Sequence, residues 1–139
     1  MNSFKREFKH SLEIDVAWGE MDALGHVNNV YYLKYFESAR IHYFTKMGMS
    51  INPKDAGPIL AATECQYLKP ITFPDRILVG AKVQNFGNTS FLMEYGVWSR
   101  TLATIAARGS ARIVYFDYVK QEKIPVPDAF KEMVVKLDP

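Results

Sequence analysis

The sequence predicts an α+β fold in which an antiparallel sheet buries one face on a single long helix, within one domain spanning residues 1–139. Three observations predict it. Apolar residues from Val30 to about Met47 recur at helical spacing. Five other stretches read as strands and are parted by Gly, Pro, Asn and Asp. The last three of these follow one another closely enough to pair as an antiparallel meander.

Taken in order, residues 8–17, FKHSLEIDVA, set Phe8, His10, Leu12, Ile14 and Val16 against Lys9, Ser11, Glu13, Asp15 and Ala17, the period of a half-buried strand. That alternation stops over 18–29, which holds two Gly and two Asn and reads as a loop, with Asn28 or Asn29 placed to cap the next helix. In the helix, Tyr32, Tyr35, Phe36, Ala39, Tyr43 and Met47 share one face. Leu33, Phe36, Arg40 and Phe44 widen it until only a narrow side near Lys34, Glu37 and Ser38 must meet water, so the helix is expected to be mostly buried. Its length is about 27 Å at roughly 1.5 Å per residue, and Gly48 supplies the stop.

A loop is expected at 51–58, INPKDAGP, followed by a strand at 61–69 and a turn at 70–75, PITFPD. Residues 77–86 and 91–98 read as a hairpin joined by GNTS. A longer strand runs from Leu102 to about Phe116, with Ile105, Ala107, Ala111, Ile113 and Tyr115 opposite Arg108, Ser110, Arg112 and Val114. A short terminal helix can follow Pro127. With one sheet face on the helix, the other still carries Ile, Val, Phe, Tyr and Trp. Self-association, by edge pairing or face stacking, is the expected cover.

Composition excludes several classes. Apolar residues make up 48% and charged residues 23%, an ordinary globular balance. A formal net charge of +2 with no basic block gives no footprint for nucleic acid. No apolar run is long enough for a transmembrane helix, and MNSFKREFKH lacks the apolar core of a signal peptide, so a soluble cytoplasmic protein is expected. The single cysteine, Cys65, rules out an internal disulfide and, within a strand pattern, reads as inert and buried.

Candidate chemistry concentrates in GEMDALGHVNNVYYLKYFESAR, from Gly19 to Arg40. Asp22, in a Gly-flanked loop, is either a turn former or a carboxylate aimed at a ligand beside the helix N-terminus. The first N–H groups there can receive a carbonyl oxygen while the carboxylate activates water or attacks. That pairing suits acyl transfer. An isolated Asp is a weak base at neutral pH, so the electrophile must be reactive, as a thioester is. His26 either holds the loop through a ring hydrogen bond or orients substrate, and Asn28 and Asn29 read as caps before catalysts. Nothing resembles a GxSxG elbow, an HExxH zinc site, a GxGxxG turn or a P-loop, and no metal site is expected. Arg108 and Arg112 share one strand face, while Lys69 and Arg76 bracket the Pro-rich turn. All four are either solvated surface or a loose phosphate-binding group at a slot entrance.

WGEMDALGHVNNVYYLKYFESAR, 18–40, resembles the signature of the hot-dog fold acyl-CoA thioesterases, in the branch of 4-hydroxybenzoyl-CoA thioesterase and the YbgC and FadM type enzymes. YLKPITFPDRILV, 67–79, and the hairpin around NTS, 88–90, extend the similarity over nearly the whole chain. The resemblance implies a curved antiparallel sheet wrapped around a long central helix, in a homodimer or dimer of dimers with active sites between subunits. It implies Asp22 as base or nucleophile, the N–H groups near Asn29, Val30 and Tyr31 as the oxyanion site, and Gly25 as the tight turn beside the ligand. The aromatic helix would line or support the acyl slot. Coenzyme A would enter only as part of the substrate, with no separate cofactor. YbgC-type members carry a His seven residues after the Asp; here that position is Asn29, and GHVNN is closer to the long-chain acyl-CoA branch, so His26 does not inherit that histidine's role. The alternatives are a non-catalytic protein that binds acyl-CoA or acyl-carrier protein, and a hydratase, for which Glu37 and Arg40 are a poor fit.

Overall fold

The computed structural model describes residues 1–49 and 54–139. The chain runs α1 (Asn2–Glu7), β1 (Ser11–Asp15), a 3-10 turn (Trp18–Glu20), α2 (Asn29–Lys46), β2 (Ala56–Tyr67), β3 (Arg76–Phe86), β4 (Ser90–Ser99), β5 (Thr104–Asp117), β6 (Glu122–Lys123) and α3 (Asp128–Leu137). The sheet is antiparallel in the order β1-β3-β4-β5-β2, with β6 added to β5. β3, β4 and β5 are the expected meander. The loop expected at 51–58 lies outside the described residues over 51–53, and from Ala56 the chain is already in β2.

The sheet curls round α2 as a half-barrel. Tyr32, Tyr35, Phe36, Ala39, Tyr43 and Phe44 of α2 are buried against Val79, Met93, Tyr95, Ala107 and Ile113 on the inner sheet face. Full burial of each large side chain contributes roughly 1.5–3 kcal/mol. The Phe36 ring stacks on Tyr95 with centroids 4.8 Å apart and planes 11° apart. It also fills the place of a side chain at Gly109, where a Cβ would collide with Phe36 Cε2. A glycine there lets the helix approach the sheet.

α2 is less buried than its sequence suggests. Val30, Leu33 and Ile41 are exposed, because the helix meets the sheet on one side and nothing among the described residues covers them on its opposite side. The second correction concerns the outer sheet face. It is partly covered by α1, an element the sequence pattern does not indicate, which brings Phe4 and Phe8 onto Leu78, Trp98 and Ile105. A register shift at Val97/Trp98 pairs Trp98 with Ile105 and Val97 with Ala107, which turns Ile105 to the outer face and away from Ala107. Much of the remaining outer face is polar, with Glu94, Arg108, Ser110 and Arg112. At one edge of the sheet lies β2, a twelve-residue strand whose side chains from Ile59 to Gln66 are exposed apart from a half-exposed Cys65.

Candidate active site

The loop before α2 is built from the inside out. Glu20 ends the 3-10 turn with Oε1 accepting the Ala17 N–H at 2.8 Å and the Tyr35 hydroxyl at 2.9 Å. Its backbone carbonyl accepts the Asn28 N–H at 2.9 Å. Tyr35 is 2% exposed, and burial together with the Glu20 carboxylate raises its hydroxyl pKa far above the ordinary phenol range. The loop is therefore tied at both ends to a group anchored in the core.

Between these ties the chain doubles back. Met21 and Val27 form an isolated bridge, the Asp22 N–H donates to the His26 carbonyl at 2.7 Å, and the Val27 N–H donates to the Ile71 carbonyl at 2.9 Å. Gly25 takes φ of 80°, a left-handed conformation that glycine adopts without cost from a side chain. Asp22 Oδ1 accepts the N–H groups of Leu24, at 2.9 Å, and His26, at 3.3 Å. No described residue donates to Oδ2. Asp22 is thus the turn former through Oδ1, which leaves Oδ2 without a donor among the described residues.

Asn28 is the helix cap, and α2 begins at Asn29. Its Oδ1 accepts the Val30 N–H at 3.1 Å and its carbonyl accepts the Tyr31 N–H at 3.0 Å. This narrows the expected oxyanion site, since the cap already occupies Val30 and Tyr31. The Asn29 N–H is the first-turn donor with no partner among the described residues.

Asp22, His26, Asn29, Tyr32, Tyr67 and Lys69 line one groove of about 320 Å³. Tyr67 stands edge-on to Tyr32 at 4.9 Å, and its hydroxyl donates to the Asn29 carbonyl at 3.4 Å. Asp22 also borders a second, wider depression of about 820 Å³ with Trp18, Met21, Gly25 and Phe73.

Of the four candidate phosphate ligands, only Lys69 lies in the Asp22 groove. Arg76 Nε donates to Asp15 Oδ1 at 2.7 Å, with Glu13 at 3.8 Å. Arg108 makes two hydrogen bonds, of 2.7 and 3.0 Å, to Glu7 of α1. That bond holds the Glu7 carboxyl below the usual glutamate range. Arg112 sits in an outer-face depression with Ser110 and Glu64. Alternation places Arg108 and Arg112 on one face correctly; that face points away from α2. Cys65 is half-exposed rather than buried, with burial raising its thiol pKa.

Sequence reasoning misses the Glu20–Tyr35 bond, although a buried tyrosine hydroxyl demands a partner. It also misses the Trp18–Phe73 depression, whose walls come from segments far apart in the chain. Among the described residues no cluster of three His, Cys, Asp or Glu side chains could hold a metal ion, and no helix is long and apolar enough to cross a membrane.

Comparison with known proteins agrees with this architecture. The sequence profile of the thioesterase-like superfamily matches residues 16–134. A Bacillus subtilis (strain 168) protein, YsmA, is 30% identical over 92 residues, 66% of this chain and 63% of that relative, so the match leaves over a third of the relative's length unspanned. The fold is similar to that of the PA5185 protein from Pseudomonas aeruginosa strain PAO1, with TM-score 0.84 and 25% identity over 96% of this chain and 94% of that one. It is also similar to a thioesterase from Thermus thermophilus, whose crystal structure is a complex with coenzyme A and Zn, with TM-score 0.81 and 31% identity over 94% of this chain and 95% of that one. A hot-dog sheet and helix, matched by a superfamily profile that leaves out only the two ends, establish that the chain belongs to the thioesterase-like superfamily.

Proposed function

We propose that this protein hydrolyses acyl-CoA thioesters to the free acid and CoA. The observation that carries the reading is Asp22, whose Oδ1 is held by its own turn while Oδ2 has no partner among the described residues, at the edge of the groove that Asn29 also lines. Membership of the superfamily supports thioester hydrolysis in general, and the coenzyme A held by the Thermus relative supports the CoA portion.

In this reading the thioester carbonyl oxygen accepts a hydrogen bond from the Asn29 N–H, reinforced by the positive end of α2. Asp22 delivers the attacking oxygen either through a water, whose proton it takes and then passes to the departing sulfur, or directly, as an anhydride with the acyl group that water afterwards hydrolyses to release the free acid and restore the carboxylate. The tetrahedral centre collapses, the C–S bond breaks, and the CoA sulfur leaves with its electron pair and is then protonated. Lys69 supplies the positive charge for the leaving CoA portion, as Arg76 and Arg108 are already paired with carboxylates. His26 lines the same groove as an orienting group. The exposed edge of β2 would pair with a second copy, extending the sheet and closing the groove from outside.

The test is release of free thiol from short, medium, long and aromatic acyl-CoAs. Turnover of at least one member is expected. Measurable CoA binding without thiol release from any of them would replace this reading with that of a non-catalytic acyl-CoA or acyl-carrier-protein binding protein.

A further inference from the structure

The thioester bond divides the substrate into an acyl group and a long polar CoA arm, and the surface around Asp22 is divided in the same way. On one side lies the groove with Lys69, His26 and Asn29, whose apolar members, such as Tyr67 and Leu68, alternate with these polar groups. A pantetheine arm, with amides spaced by short alkyl segments, matches such a mixed lining. On the other side the described residues give a wall in which the side chains of Trp18, Met21 and Phe73 stand beside the exposed backbone of Gly19, Ala23 and Gly25, with Asp22 as the one polar side chain among them.

Two further observations make the second depression informative. The α2 rings expected to line an acyl slot are already committed to the core, with Tyr32, Tyr35 and Phe36 only 3%, 2% and 1% exposed, so they leave no room for a chain beneath the helix. Trp18 is 75% exposed and Phe73 46% exposed, directly beside a carboxylate whose Oδ2 has no donor among the described residues. Leaving large apolar side chains in water forgoes the free energy of their burial, and a ligand covering both recovers it.

We propose that the Trp18–Met21–Phe73 depression is the acyl subsite, taking an extended alkyl or aryl group, with the thioester at Asp22 and the CoA arm leaving past Tyr67 and Lys69. The proposal rests on the acyl-CoA reading above and adds which side of Asp22 each part of the substrate occupies. A depression open to solvent on one side covers part of a chain, so affinity should grow with each methylene by about twofold, against about fourfold for full burial.

The experiment uses S-alkyl-CoA thioethers of increasing chain length, which bind without being cleaved, with CoA itself as the control. Their affinities are measured by calorimetry on the wild-type chain and on Trp18→Ala, Phe73→Ala and Trp18→Phe, and tryptophan emission is followed in parallel. The expected results are a rise of affinity with chain length in the wild type, loss of most of that rise in both alanine variants, its retention in Trp18→Phe, and unchanged CoA affinity throughout. Trp18 emission should shift on binding a long thioether and not on binding CoA. An unchanged chain-length dependence in both alanine variants overturns the assignment, as does weakened binding of CoA alone or the absence of any chain-length dependence in the wild type. Because binding is read without turnover, a wild type that shows the dependence but releases no thiol from acyl-CoAs keeps this subsite and loses the hydrolytic reading. A wild type that turns over while its alanine variants keep the full dependence does the reverse.

Discussion

Replacing Asp22 by Asn separates the turn that this side chain makes from the chemical step proposed for it. The turn uses Oδ1, which accepts the N–H groups of Leu24 and His26 at 2.9 and 3.3 Å. An Asn side chain keeps a carbonyl oxygen in that place, so the turn survives with neutral in place of charge-assisted hydrogen bonds. On an exposed loop this difference is below about 1 kcal/mol. For a domain of this size such a loss lowers Tm by less than about 4 °C. The chemistry loses much more, because an amide nitrogen replaces the one oxygen left without a partner among the described residues and can neither take a proton nor attack. A positioned base contributes typically a hundredfold or more, about 2.7 kcal/mol of barrier. Asp22→Ala adds a structural loss, since it also leaves the two N–H groups to solvent and loosens the loop. The assay is thiol release with the best acyl-CoA of the panel, alongside thermal unfolding of both variants. The expected order is a near wild-type Tm for Asp22→Asn, a lower one for Asp22→Ala, and kcat down by about a hundredfold or more in each. A folded Asp22→Asn protein with near wild-type kcat would refute the assignment of Asp22 to the chemical step.

Tyr35→Phe removes the hydroxyl that holds Glu20 and, through it, the Asp22 loop; kcat should fall about tenfold with KM within about twofold, while amide hydrogen exchange across residues 19–29 speeds up. Unchanged kcat with unchanged exchange would remove the positioning role. Glu7→Gln tests the Arg108 pair: the folded-state pKa of Glu7 lies below its unfolded value, so the stabilisation is present above the unfolded pKa of about 4.3 and is lost as pH falls through the folded one. With both side chains partly exposed, urea titrations should separate the variant from wild type by less than about 1 kcal/mol at pH 7, the gap closing below about pH 4; a gap that widens on acidification contradicts the linkage. Sedimentation at micromolar concentration should give a dimer or dimer of dimers, through the exposed β2 edge, and a stable monomer would count against both the strand pairing and a shared site.

Much of this molecule is legible in local pattern. The period of α2, the strand alternations and the turn signals between them state which residues share a face, because a side chain's direction repeats every 3.6 residues in a helix and every two in a strand. The crowding of Asp22, Gly25, His26 and Asn28 before a helix likewise announces a tight loop and a cap, since turn and cap residues act within a few positions of themselves. Periodicity cannot say which way a shared face points. It groups Arg108 and Arg112 correctly, while their place on the outer sheet face, with Arg108 bonded to Glu7 101 residues away, comes only from the path of the chain. A single extra residue at the Val97/Trp98 register shift is enough to turn Ile105 from one face to the other. The six-residue α1 leaves no readable period, and it is held by Phe4 and Phe8 packing on strands far along the sequence. The Asp22 site divides along the same line: its loop is local, whereas the hydroxyl of Tyr35 that anchors it, and the Phe73 and Lys69 that stand on either side of it, are brought there by tertiary packing, which pairs groups by position in space and leaves no mark on the spacing between them.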